Sequence, residues 1–279
     1  MTRQEYRPYL DAAWYVVVFL VMQTVVFAAA TLIGGRKELS ATADIAAISV
    51  YSIAATALFV WRRWAPFNRD YASTRPWFAL FWVACAAIGT IAPTSLITEA
   101  AESYTGANRD YTQLFTKIMS HDMGYLAIGI LAPIAEEAVF RGALLRRLLD
   151  AGAGKSPWIA ITVSAMVFGV VHGNIAQGLH AFMVGMLLGW MYCRTRSILP
   201  GLVLHWANNT IAFAVYKVRP EMGDMTISQL YGGDPWRIGM TVAFSIMILA
   251  AAIYQLNMRL HTPGKSVQGQ KKTRKNTVR

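Results

Sequence analysis

The chain has 279 residues, of which 55% are hydrophobic and 15% charged, where an ordinary soluble domain carries about 25% charged residues. That balance excludes a typical soluble domain, and it excludes a disordered chain, which is poor in apolar residues and rich in charge. Two cysteines, Cys85 and Cys193, both in apolar runs, exclude a disulfide scaffold and a four-thiolate zinc site. An excess of 26 Lys and Arg over 15 Asp and Glu invites a nucleic-acid reading, but the distribution of those charges assigns them to membrane topology.

A membrane-spanning helix needs roughly 17 to 25 apolar residues. In chain order the candidate stretches are 12–34, 45–61, 76–98, 124–145, 157–172, 175–193, 198–216 and 238–258. The fifth is short and the fourth is interrupted by charge. The apolar core of the first is longer than the roughly 7 to 15 residues of a signal-peptide core, so it is expected to stay as an anchor and first helix. No period of about 20 to 50 residues repeats, so neither a solenoid nor an inverted repeat is expected.

The expected fold is therefore all-α: a polytopic membrane bundle of about eight transmembrane helices. It forms a single membrane-embedded domain over 1–258, followed by a basic tail over 259–279 that is expected to be disordered. With eight spans both termini share a side. Placing them in the cytoplasm leaves 18 basic residues inside and seven outside, which satisfies the excess of Lys and Arg in cytoplasmic segments. The tail (Arg259, Lys265, Lys271, Lys272, Arg274, Lys275 and Arg279, with no acid) reads as a topology determinant near anionic headgroups. The partner expected is the lipid bilayer and not nucleic acid. Alanine-rich spans and short loops suggest a bacterial cytoplasmic membrane.

Of all the charged residues, only Glu136, Glu137 and Arg141 lie well inside a span. A charged side chain at a helix centre costs about 2.5–3.5 kcal/mol on insertion scales, and such groups default to a functional reading that faces the bundle interior. Glu137 and Arg141 are four apart, share a helix face and can pair, which spares the arginine an uncompensated buried charge. Glu136 is rotated about 100° from Glu137 and is the candidate for chemistry, either as a base that activates water or as a metal ligand. The bland alternative is one buried cluster that only holds helices together.

Two further polar sets lie on neighbouring spans. Phe168 and His172 are four apart at the end of the fifth. In the seventh, His205 and Asn209 are four apart, with Asn208 rotated off their face. A lone histidine in a bundle is more often hydrogen-bonded glue than a ligand. Two histidines, an amide and a glutamate on three adjacent spans favour a site. His180 lacks a partner at helical spacing and reads as structural. At 1.5 Å per residue from the inner ends, His205 lies about 10 Å deep, Glu136 about 15 Å and His172 about 22 Å. The three meet only if the fifth helix is tilted or starts deeper; a short helix breaking at Gly173-Asn174 suits a water-filled cavity.

Glu136-Glu137-Ala-Val-Phe-Arg141, Phe168-Gly-Val-Val-His172 and His205-Trp-Ala-Asn-Asn209 resemble, in order and on separate helices, the three motifs of the CPBP family (CAAX proteases and bacteriocin-processing enzymes, also called the Abi family). Its members include the type II CAAX prenyl endopeptidases. Gly142 also suits the usual form of the first motif. The resemblance covers about 120–215.

The resemblance implies an intramembrane endopeptidase open to the cytoplasm. Its substrate would be a lipidated, CAAX-type tail or a membrane-anchored peptide. Glu136, helped by His172, would activate water; His205 and Asn209 would hold the developing oxyanion, and Glu137 and Arg141 would orient the helix around the base. No cofactor is committed. One carboxylate and two histidines (Glu136, His172 and His205) form a possible zinc set with an open water position. The chain has no His-Glu-x-x-His helix and asparagine is an unusual zinc ligand, so metal-free hydrolysis is preferred. Competing readings are a non-catalytic self-immunity or scaffold protein and, further off, a proton- or ion-coupled transporter using the same buried charges.

Overall fold

Helix starts in this chain carry recognisable caps. Ser40 accepts a hydrogen bond from Ala43 N, Asn174 from Gln177 N, and Asp234 from Trp236 N and Arg237 N with Pro235 in the first turn; each satisfies amides that the first helical turn leaves unpaired. In the computed structural model the described residues are 3–35, 39–67, 69–105, 116–152, 156–222 and 225–262, with the side chains of 3–5 and 105 left aside. Residues 263–279 of the basic tail lie outside them.

Among the described residues the longer helices are α1 (Arg3–Gly34), α2 (Ala41–Trp61), α3 (Trp77–Thr105), α4 (Asp122–Ala151), α5 (Pro157–Val170), α6 (Ile175–Thr195), α7 (Leu199–Val218) and α8 (Pro235–Arg259). They stand at the predicted positions, and the protein is an all-helical, polytopic membrane bundle. Six of them are long and apolar enough to cross a membrane: α1, α2, α3, α4, α6 and α8. The other two differ from the expectation of eight full spans for separate reasons. α5 has 14 residues, about 21 Å at 1.5 Å per residue, short of the ~30 Å hydrocarbon layer. α7 has 20 residues but carries His205, Asn208, Asn209 and Lys217 along its length.

Polar ties at the helix ends fix an up-and-down order. At one end Arg147 pairs with Asp11 at 2.5 Å, Arg146 Nη2 donates to Trp64 O at 2.9 Å, Arg196 pairs with Asp150 at 2.9 Å and Arg194 Nε donates to Leu260 O at 3.1 Å. At the other end Lys117 meets Asp44 at 2.7 Å and Lys217 meets Asp122 at 2.8 Å. The first end thus gathers Arg146 and Arg147 near the end of α4, Arg194 in the last turn of α6 and Arg196 just beyond it.

Small residues set how closely the helices approach, as they do where lipid supplies no hydrophobic drive between helices. A Cβ on Gly169 of α5 would stand 2.6 Å from Gly178 O of α6, and one on Gly89 of α3 would stand 2.6 Å from Leu249 N of α8. Between α1, α2 and α4, edge-on aromatic contacts fill the interior: Phe19 lies 6.0 Å from Tyr51 and 5.7 Å from Phe140.

The helix α4 is not a uniform coil. Over Tyr125–Leu131 and Glu137–Leu145 it widens to π winding, a feature often found at functional positions. Ala132 N–H reaches back to Ala127 O, skipping Ile128 O, and the donor five residues beyond Ile128 would be Pro133, which has no N–H. The Ile128 carbonyl is left for a partner from another helix.

Candidate active site

A cavity of about 280 Å³ opens where α1, α2, α4, α5, α6 and α7 meet. Glu136, Phe168, His172, His205 and Asn209 all line it. The depth mismatch expected from counting residues closes because α5 stops at Val170, leaving His172 in the turn that leads into α6.

His205 is the hub. Its Nε2 lies 3.6 Å from Glu136 Oε2 and its Nδ1 lies 3.5 Å from Glu137 Oε1. Glu136 presents its carboxylate to the cavity, while Glu137, one helical step away, is fully buried. Glu137 Oε1 accepts a hydrogen bond from Arg141 Nη1 at 2.9 Å, and Arg141 is 1% exposed. The guanidinium carbon sits 4.3 Å from the centroid of the Phe168 ring, a cation–π contact that is strongest when desolvated. The pair fits because two glycines make room for it: a Cβ on Gly201 would stand 2.6 Å from Glu137 Oε2, and one on Gly185 would stand 3.3 Å from Arg141 Nη2.

Phe168 organises the site from below. Its ring is edge-on to His172 at 4.8 Å and to His205 at 6.0 Å. Its carbonyl lies 2.7 Å from His172 Nδ1. A carbonyl only accepts, so Nδ1 carries the proton and Nε2 of neutral His172 keeps a free lone pair.

Asn209 Nδ2 donates to Ile128 O at 2.8 Å. This is the carbonyl that the wide turn and Pro133 leave without a helical donor. One amide hydrogen of Asn209 is therefore engaged in holding α7 to α4 and the other remains. A parallel tie joins α5 to α4, where Ser164 Oγ donates to Phe140 O at 3.0 Å. On the rim, Trp206 Nε1 donates to Tyr125 Oη at 2.9 Å, and Tyr125 Oη and Thr210 Oγ1 are 3.0 Å apart.

Among the described residues, no three His, Cys, Asp or Glu side chains stand together in a way that would hold a metal ion. The set Glu136, His172 and His205 lines one cavity without converging on a common ligand point, so as placed it does not fit a resident zinc.

Four polar residues of the cavity lie outside the three motifs or off their faces: Gln23, Gln177, His180 and Asn208. His180 has its partner on another helix, Asn208 Nδ2 lying 3.4 Å from His180 Nε2. Spacing on α6 alone shows no such partner. Asn208 is three residues from His205, and the cavity spans enough of α7 to take both the i+3 and i+4 positions. The signal that the structural reading of His180 passed over is Gln177, three residues earlier on the same face of α6.

Residues 123–211, which run from the start of α4 into α7, match the family model described as type II CAAX prenyl endopeptidase Rce1-like. The match covers about a third of the 279 residues and contains all three motifs. No curated protein and no solved structure matches the chain.

Proposed function

We propose that this integral membrane protein, whose residues 123–211 match the Rce1-like type II CAAX prenyl endopeptidase model, cleaves a peptide bond in a lipidated, CAAX-type or membrane-anchored substrate at the cavity around Glu136. The observation that carries this reading is the convergence of Glu136, His172, His205 and Asn209 on one cavity inside the bundle.

In the proposed reaction a water molecule attacks the scissile carbonyl and gives its proton to Glu136, assisted by the unprotonated Nε2 of His172. A positioned base contributes about 10²–10⁴ in rate. His205 and the remaining amide hydrogen of Asn209 hold the tetrahedral oxyanion, where one donor is worth about 3 kcal/mol. Collapse breaks the C–N bond, and the proton held by Glu136 passes to the leaving amine. Glu137 and Arg141 act behind the site, holding His205 and α4 in place. The donor geometry supports a mechanism carried by the glutamate.

We take the arginine-rich helix end as cytoplasmic, which puts both termini there in a bacterial cytoplasmic membrane, with 1–258 as one membrane domain and 259–279 as a tail beyond it. Apolar parts of the substrate would then enter from the bilayer between helices.

The test is purified protein in liposomes offered S-farnesylated CAAX peptides and unlipidated membrane-anchored peptides, with products identified by mass spectrometry. Cleavage next to the lipidated cysteine supports the CAAX form of the reading, and cleavage of anchored peptides alone moves the substrate class. Ion flux with no cleavage of either would replace the reading with a transporter.

A further inference from the structure

The cavity has a second polar wall that the proposed chemistry does not use. Gln177 and His180 stand one turn apart on α6 and Asn208 faces them from α7, all three lining the cavity. Asn208 Nδ2 donates to His180 Nε2 at 3.4 Å, so the neutral ring carries its proton on Nδ1, which makes that nitrogen a donor. Gln177 Oε1 is buried with no hydrogen-bond partner among the described residues. An orphaned buried acceptor costs about 1–3 kcal/mol, and a ligand N–H relieves it. This wall therefore carries a donor and an acceptor on residues one turn apart on α6, the two kinds of group that pair with the C=O and N–H of a peptide backbone. Its charge is informative too: among the residues lining the cavity Glu136 is the one carboxylate, and there is no Lys or Arg. Among the described lining residues no Lys or Arg would pair with a free carboxylate, and the donors of His205 and Asn209 are taken by the oxyanion.

We propose that Gln177, His180 and Asn208 form a subsite that binds an uncharged backbone amide of the substrate beside the scissile bond, so that the cavity takes an internal stretch of chain and does not select a free C-terminal carboxylate. This rests on the endopeptidase reading and specifies how that site holds its substrate. Gln177 and Asn208 are positioning groups, acting on affinity more than on the chemical step.

The test measures binding apart from turnover. Full-length protein carrying Glu136→Gln is titrated in detergent with a fluorescein-labelled, S-farnesylated peptide ending Cys-Ala-Ala-Leu, made once with a free carboxylate and once with a C-terminal carboxamide. The two peptides should bind within about threefold of each other, and Gln177→Leu or Asn208→Leu should weaken both about tenfold, 1.4 kcal/mol. His180→Leu should do the same and His180→Asn should recover most of the loss. Placed in the active protein, Gln177→Leu should raise KM while kcat falls by less than about threefold, the pattern of lost uniform binding. Where a leucine variant is not monodisperse, Asn208→Asp keeps the shape, removes the donor to His180 and must weaken both peptides, the carboxylate form more. Affinities unchanged in these variants, a carboxylate peptide bound tenfold more tightly than its carboxamide, or no binding of either peptide overturns the subsite. The expected binding pattern without any cleavage by the active protein supports the subsite and overturns the enzymatic reading alone.

Discussion

His205 stands between two carboxylates, its Nε2 3.6 Å from Glu136 and its Nδ1 3.5 Å from Glu137. The two acids differ in what lies behind them: Glu137 is fully buried against Arg141, whereas Glu136 faces the cavity. Removing one partner of a buried ion pair leaves the other uncompensated and costs about 3–5 kcal/mol. Glu137→Leu and Arg141→Met should each lower the melting temperature of the detergent-solubilised protein sharply. The double variant should be less destabilised than either single change, since replacing a whole buried pair with apolar groups is often neutral. Additive losses would show that the pair is not the coupled unit described.

Room for that pair comes from a glycine on α7. A Cβ on Gly201 would stand 2.6 Å from Glu137 Oε2, well inside van der Waals contact. Overpacking a tight interior costs about 1–3 kcal/mol, so Gly201→Ala should destabilise the protein and depress cleavage together. The same change at Gly239, where a Cβ meets nothing within 4 Å, should leave both near wild type. Thermal melts and initial rates on the two variants decide it.

Asn209 has a structural task besides its proposed part in the reaction. Its amide supplies the donor that Ile128 O lacks, so Asn209→Ala should cost about 1–3 kcal/mol in stability as well as rate. Asn209→Asp should be worse, because a carboxylate oxygen would face the Ile128 carbonyl. A full loss of rate in Asn209→Ala with unchanged melting would contradict the tie to Ile128.

Metal dependence follows from the donor arrangement. With no converging set of three ligands among the described residues, cleavage should persist within about twofold after incubation with a chelator, where loss of a catalytic metal would remove a contribution of several kcal/mol. Inactivation by the chelator with recovery on adding zinc would show that the cavity rearranges around an ion.

Much of this architecture can be read along the chain. Glu136, Glu137 and Arg141 stand out because charge inside an apolar run demands a reason, and helix geometry alone separates the two acids. His172 and His205 follow from their four-residue spacings. What spacing along one helix does not reveal is a partner on another: the Asn208–His180 contact joins α7 to α6, and no periodicity in either helix announces it. At Ile128 the wide turn and Pro133 leave a carbonyl without a helical donor and Asn209 takes it up, a compensation visible only in three dimensions. Span counting misjudged α5, since His172 belongs to the turn that brings it level with the other site residues.

The central claim is that the Glu136 carboxylate is the base for hydrolysis. Its most direct test is the single-turnover cleavage rate of Glu136→Gln against wild type in liposomes, with melting temperatures measured in parallel. The account predicts a loss of at least about a hundredfold with melting within a few degrees of wild type. Cleavage at the wild-type rate by a folded Glu136→Gln protein would contradict it.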